Sequence, residues 1–189
     1  MSFPKLELDL TQTKYQAEKG LEYFVARVND PKRTPFGKTL SGQGATIERI
    51  AHCRIEIDAA RLIVLNAAAK IDEIDAKHAL VEIADAKVYV PNMALKVIDQ
   101  AIQAHGGGGV SQEFPLAGMW ASGRTMRLVD GPDEVHLQQL GKNENRKGKD
   151  LLEKMERQMQ AIRALFERYG TEIVDPLQLD RESGAKAKL

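Results

Sequence analysis

Residues 46–69 read TIERIAHCRIEIDAARLIVLNAAA, and this stretch decides the fold. Ile47, Ile50, Ala51, Ile55, Ala59 and Leu62 recur at three- and four-residue steps, the spacing that puts side chains on one face of an α-helix. Beyond Ile55 the stretch turns apolar or small on most sides, through Ile57, Ala60, Ile63, Val64, Leu65 and Ala67. A helix reads that way when other helices surround it. A bundle is therefore expected, and the flanking segments supply its partners.

Upstream, Leu21, Phe24, Val25 and Val28 predict a helix over 14–28, stopped at Asn29-Asp30-Pro31. Residues 1–13 alternate weakly at Leu6, Leu8 and Leu10 and are expected to be irregular. Downstream, Leu80, Ala84, Val88, Val97, Ala101 and Ile102 predict a helix over 75–104. It should kink or break at Pro91, which lacks an N–H to donate. His105-Gly106-Gly107-Gly108-Gly109 ends it. Pro115 suits the first turn of a helix reaching 129, and Pro132, Asp133 and Glu134 open a short one closed by Gly141. A basic linker over 143–149 follows. Leu152, Met155, Met159, Ile162, Phe166 and Tyr169 then line a helix over 150–169, stopped by Gly170. Its apolar stripe is narrow, as for packing on a partner surface. No alternating Val, Thr and aromatic runs between hairpin turns predict a sheet. The expected fold is all-α, an antiparallel four-helix-type bundle over 14–141. An irregular segment 1–13, a linker and C-terminal helix over 142–170, and a flexible tail 171–189 complete the division.

Composition narrows function. Twenty-seven basic and 27 acidic residues cancel, leaving no general field for nucleic acid or an anionic membrane. One cysteine, Cys53, excludes an intrachain disulfide framework. Beside His52 but without further His or Cys at ligand spacing, it reads as a small core residue, and no metal site is expected. No apolar run has the length of a membrane span, and residues 1–10 lack the pattern of a signal peptide. A soluble intracellular protein is expected.

Three places depart from plain bundle sequence. Arg33-Thr34-Pro35-Phe36-Gly37-Lys38 sets cations and an aromatic ahead of a helix, which suits a phosphate or an ordinary surface turn. Gln103-Ala104-His105 precedes four glycines where helix termination needs one, so a ligand or another backbone comes close there, or the loop is flexible. His105 itself reads as a cation at a helix C-terminus. In Val129-Asp130-Gly131-Pro132-Asp133-Glu134-Val135-His136, Asp130 reads locally as a helix cap, or as a base kept ionised by the helix start.

The order of these places resembles the acyl-CoA dehydrogenase family. The resemblance rests on Arg33…Phe36-Gly37…Leu40, Gln103-x-x-Gly106-Gly107-x-Gly109, Glu113-Phe114-Pro115 and Asp130-Gly131-Pro132, and covers residues 20–141. The Asp-Gly-Pro-Asp-Glu-Val-His form is similar to the family's long-chain-type branch. The resemblance implies an FAD enzyme of fatty-acid β-oxidation that converts an acyl-CoA to a trans-2-enoyl-CoA. A carboxylate takes the α-proton and the β-hydrogen leaves as hydride to the flavin. Asp130 stands where the family usually has a glutamate before glycine, and Pro132 where it has a threonine. Arg33 and Phe36 match residues that meet the FAD of a neighbouring subunit, while Gln103, Gly106 and Gly107 match the segment at its adenosine end. A homodimer or homotetramer is thereby implied, with a flavoprotein or oxygen as electron acceptor.

Family members carry an N-terminal helical domain and a middle β domain ahead of this region, so the chain is expected to hold part of the enzyme. Two other readings are a non-catalytic helical oligomerisation module and an acyl-CoA oxidase-like enzyme. Ala187-Lys188-Leu189 resembles a peroxisomal address, with mitochondrial placement the alternative.

Overall fold

The computed structural model describes the backbone of residues 3–170 and the side chains from Leu10 onward, except that of Phe36. The described residues are helical and form no strand. Two compact units divide the chain, residues 1–143 and residues 144–189. In the first lie α1 (Phe3–Val28), α2 (Gly44–Glu73), α3 (Leu80–His105), the single turn α4 (Gly107–Val110), α5 (Leu116–Thr125) and the start of α6 (Asp133–Asn145). The second holds α7 (Gly148–Tyr169).

α3 is the axis of the bundle. Ile83, Ala86, Val90, Met93, Ala94, Val97, Ile98 and Ala101 are all buried, because α1, α2 and α5 each pack on it. The approach of α1 is close. A Cβ on Gly20 would stand 3.1 Å from Ile98 Cγ1 and 3.4 Å from its Cα, so only hydrogen fits without displacement. Arg27, two turns on, reaches the carbonyls of Ala104 and His105, so α1 and α3 run in the same direction. α2 runs against them: the Tyr89 hydroxyl near the start of α3 donates to Glu56, and Gln103 near its end shares a groove with Arg49. α5 is also antiparallel to α3, with Gly123 beside Leu95 and the Met126 carbonyl bonded to Lys87. An up-down-up-down bundle results, as the sequence implies. Between α1 and α2, Arg54 holds both oxygens of Glu18, at 2.6 and 3.3 Å, and this bond keeps the Glu18 carboxyl below its ordinary pKa.

Several boundaries and one face differ from expectation. Residues 3–13 are helical, not irregular. The buried line of α1 is Leu10, Thr13, Ala17, Leu21, Phe24 and Val28, and its small or polar members hide it from an apolar pattern. Residues 75–79 form a turn ahead of α3, in which the Asp75 carboxylate accepts the His78 N–H at 2.9 Å. α3 passes through Pro91 without a break, since that ring is buried among the packed helices. α5 ends at Thr125 and gives way to turns. α6 runs through Gly141, whose φ is not positive, so the linker contracts to Arg146 and Lys147.

In α2 the core receives Cys53, Ile57, Ala60 and Ala67, whereas Ile47, Ile55 and Leu62 of the expected stripe are exposed. The helix is apolar on both sides. The buried line runs through Cys53, Ile57, Ala60 and Ala67, with Ile50, Val64 and Ile71 packed against it. Among the described residues, no helix is long and apolar enough to cross a membrane.

Gly20→Leu forces atoms into the α1–α3 contact and should lower stability by about 1–3 kcal/mol in denaturant unfolding. Gly141→Ala, where a Cβ meets nothing within 4 Å, should instead raise it by up to about 1 kcal/mol.

Candidate functional site

Asp130 sits on a turn between α5 and α6 that is pinned from both sides. The buried Asp133 carboxylate, at the first residue of α6, accepts Arg127 Nε at 2.7 Å and Asn92 Nδ2 at 3.0 Å on the same oxygen. Arg127 precedes the turn, Asp133 follows it, and Asn92 belongs to α3, so one carboxylate fixes both ends to the bundle axis. One turn earlier on α3, the ammonium of the buried Lys87 donates to the Met126 carbonyl at 2.7 Å. Between these anchors the backbone turns left-handed at Asp130 (φ 60°) and Gly131 (φ 104°). Asp130 is the one non-glycine with positive φ among the described residues. Gly131 also lies under the His136 ring, whose Nε2 would stand 3.1 Å from a Cβ there.

The Asp130 side chain is exposed and makes no hydrogen bond or ion pair with the described residues. It precedes the first residue of α6 by three positions, so the local reading as a helix cap fails. A left-handed aspartate costs free energy that glycine would not. Among residues with a side chain, Asp and Asn tolerate this conformation best.

The second group of expected site residues gathers at the far end of α3. Gly106 takes φ 61°, ψ −136°, a conformation open only to glycine. A Cβ on Gly109 would stand 2.6 Å from the Ile102 carbonyl oxygen, and one on Gly108 3.2 Å from the Phe114 ring. Those three glycines serve the fold. Gly107 does not: it is exposed, its φ is not positive, and a Cβ there meets nothing within 4 Å. Gln103 is exposed on a groove of about 480 Å³ between α2 and α3, lined also by His52, Cys53, Glu56, Lys96 and Gln100.

His105 is buried, packed edge-on against Phe114 with ring centres 4.5 Å apart, and its Nδ1 bonds the Ala101 carbonyl at 2.8 Å. Burial lowers its pKa, and the charges of Arg27 and Arg33 add to the shift. It is therefore not the capping cation expected; Arg27 fills that place. The same interaction brings Arg33 to this end of the bundle. Its backbone N–H closes a turn on the Asp30 carbonyl, and its side chain is exposed, 3.6 Å from the Asp30 carboxylate. Phe36 lies in the 3-10 turn Pro35–Gly37, and its side chain falls outside the described residues, as does Ala187-Lys188-Leu189.

The expected residues thus divide into two places. Fourteen residue steps along α3 separate Asn92, beneath Asp130, from Gly106 at its C-terminal cap, about 21 Å at helical rise. Asp130 occupies one; Arg33, Gln103, Gly106 and Gly107 share the other. Lys87, Asn92 and Arg127 are not signalled as site residues by the sequence, and Asp133 is signalled only as a first-turn acid of α6. Lys87 does carry a signal of burial, since a charge falls in register within the apolar line Ile83, Val90, Ala94, Val97 and Ala101. Cys53 is a buried thiol with its pKa raised by that burial. No three potential metal ligands cluster among the described residues.

The bundle thus displays an unpaired, exposed carboxylate on one flank and an exposed glycine at one end. A family model, the acyl-CoA dehydrogenase C-terminal domain, matches residues 14–144, and the chain belongs to the acyl-CoA dehydrogenase family. It is 50% identical over 121 residues to acyl-CoA dehydrogenase family member 11 of Gallus gallus, covering 64% of this chain and 15% of that one. A solved Mycobacterium abscessus protein described as an acyl-CoA dehydrogenase is 46% identical, with a TM-score of 0.70 over 73% of this chain and 33% of that one. Butyryl-CoA dehydrogenase of Megasphaera elsdenii is 29% identical, with a TM-score of 0.66 over 73% of this chain and 35% of that one. The chain spans well under half the length of each of these proteins.

Asp130→Gly should keep or raise thermal stability, by up to about 1 kcal/mol, because it relieves the left-handed side chain. Asp133→Ala should lower it by about 1–3 kcal/mol, since the buried ends of Arg127 and Asn92 lose their acceptor. Folding stability should also decline as pH falls below 6.5, the ordinary value for histidine, because the unfolded chain then binds a proton that buried His105 refuses. Denaturant unfolding at several pH values checks this, and His105→Gln should flatten the slope.

Proposed function

We propose that this domain supplies the base and part of the cofactor cradle of an FAD-dependent acyl-CoA dehydrogenase, completed by further domains of the enzyme. The observation that carries the reading is Asp130. Its carboxylate is free, exposed and held by a strained turn, and Asp133, Arg127 and Asn92 fix that turn to the bundle. Fixed placement is what proton abstraction from carbon needs, because the base must meet the C–H bond within a narrow range of distance and angle. Aspartate is one methylene shorter than glutamate, and the anchored turn supplies the reach. In this role Asp130 removes the α-proton of an acyl-CoA while the β-hydrogen departs as hydride, giving the trans-2-enoyl-CoA.

FAD, when bound, supplies the hydride acceptor. The residues at the far end of α3 fit it: Arg33 offers an exposed cation for a pyrophosphate. Gly107 offers bare backbone that the fold itself does not require, and Gln103 adds an exposed amide. Gly106 sets the path of that backbone, and Phe36 belongs to the same loop as Arg33. This cradle and Asp130 are remote within one chain, which supports each cradle serving the flavin of a second subunit in a homodimer or dimer of dimers. The exposed outer face of α2, with Ile55, Leu62 and Leu65, is apolar surface of the kind that such packing covers. The electron acceptor is a flavoprotein, or oxygen in an oxidase-like enzyme.

In the complete enzyme carrying this domain, acyl-CoA should bleach the visible absorbance of bound flavin. Asp130→Asn should retain the yellow colour and slow bleaching by about 10²–10⁴-fold. Unchanged bleaching in that variant contradicts the assignment of the base, and a colourless oligomer contradicts the flavin reading. Gly107→Leu should lower flavin content while leaving the domain's thermal unfolding unchanged.

A further inference from the structure

α7 lies beyond the residues matched to the family and takes no part in the proposed reaction. Its apolar line, Leu152, Met155, Met159, Ile162, Phe166 and Tyr169, advances by alternating steps of three and four residues. That alternation is the a/d seam of a coiled coil, and α7 holds three such pairs in its 22 residues. The seam is uncovered: Leu152 is 63% exposed, Met155 61% and Tyr169 72%. Elsewhere on α7 acids and bases are mixed, as in Asp150, Glu153, Lys154, Glu156 and Arg157. A helix lying on an anionic membrane would carry a predominantly basic polar face.

The charges beside the seam select the partner. With Leu152 and Met155 as a and d, Glu156 and Arg163 both fall at e, one heptad apart and opposite in sign. In an antiparallel pair of helices, e faces e of the partner. The register that sets Leu152 on Tyr169, Met155 on Phe166 and Met159 on Ile162 of a second α7 also sets Glu156 opposite Arg163. Twofold symmetry repeats that ion pair on the other side of the centre. A parallel pair would set Glu156 opposite Leu151 and Arg163 opposite Gln158, with no opposite charges meeting. We propose that α7 pairs with α7 of a second copy of this chain as an antiparallel coiled coil, with six apolar layers flanked by two Glu156–Arg163 ion pairs. This contact is independent of the flavin reading and gives the chain a means of self-association outside the bundle.

The test uses the full chain, with nitroxide labels at Asp150→Cys or Gln160→Cys in a Cys53→Ala background. Antiparallel pairing puts the two labels at 160 side by side and those at 150 about 30 Å apart along the axis. A parallel coil would keep both pairs short, and a monomer would show neither distance; either result overturns the proposal. Arg163→Glu alone and Glu156→Arg alone should each weaken the 160–160 association about tenfold, through lost attraction and new repulsion in two pairs. The double exchange Glu156→Arg/Arg163→Glu should restore it. Two single variants that associate like the parent, or a double exchange without recovery, contradict the register. Label distances that survive Met155→Glu/Ile162→Glu place the contact elsewhere and also overturn it.

Discussion

The burial of α3 is the constraint from which the rest of the domain follows. Three helices close on it, and one of them approaches so nearly that Gly20 has room only for hydrogen against Ile98. Such packing resists sliding or rotation of α3. Each feature of the site is then referred to it. Lys87 fixes the end of α5, Asn92 fixes Asp133, Ile102 sets the limit on Gly109, and the terminal carbonyls hold Arg27. The spacing between the Asp130 turn and the glycine turn is therefore a property of one rigid helix.

The glycines show how function separates from folding at the level of single atoms. Gly106 has a backbone angle that side chains do not adopt, and Gly109 presses on Ile102. Both are explained without any ligand. Gly107 has open space and an ordinary backbone in the same turn, so the fold by itself does not account for its missing side chain. Asp130 stands on the same side of the distinction. It occupies a backbone conformation in which glycine would be more stable, while its neighbour Asp133 is the carboxylate that the fold uses.

Much of this was legible in the sequence. The helical period, Gly170 as a stop and the order of the bundle helices follow from residue spacing alone. What escaped it has physical causes. The first three turns of α1 were missed because Thr13 and Ala17 occupy core positions without looking apolar. The inward face of α2 was misassigned because both faces are apolar, so the hydrophobic pattern does not distinguish the line through Cys53, Ile57 and Ala60 from the one through Ile55 and Leu62. Lys87, Asn92 and Asp133 form contacts over 39 and 41 residues, a separation at which local pattern carries no information. The sequence could weigh Asp130 as cap or base. Only the turn geometry, with α6 starting at Asp133, removes the cap.

On the proposed function, one chain contributes to two different catalytic centres, its carboxylate to one and its cradle to another. Subunit mixing tests it directly in the complete enzyme. One subunit type carries Asp130→Asn and the other Gly107→Leu, each impaired as a homo-oligomer. If the two places serve different centres, a mixed dimer contains one centre with both lesions and one with neither, so co-refolded mixtures regain acyl-CoA-dependent flavin reduction. If base and cradle act within a single chain, every centre keeps one lesion. No activity returning at any mixing ratio, with mixed dimers present, would contradict the claim.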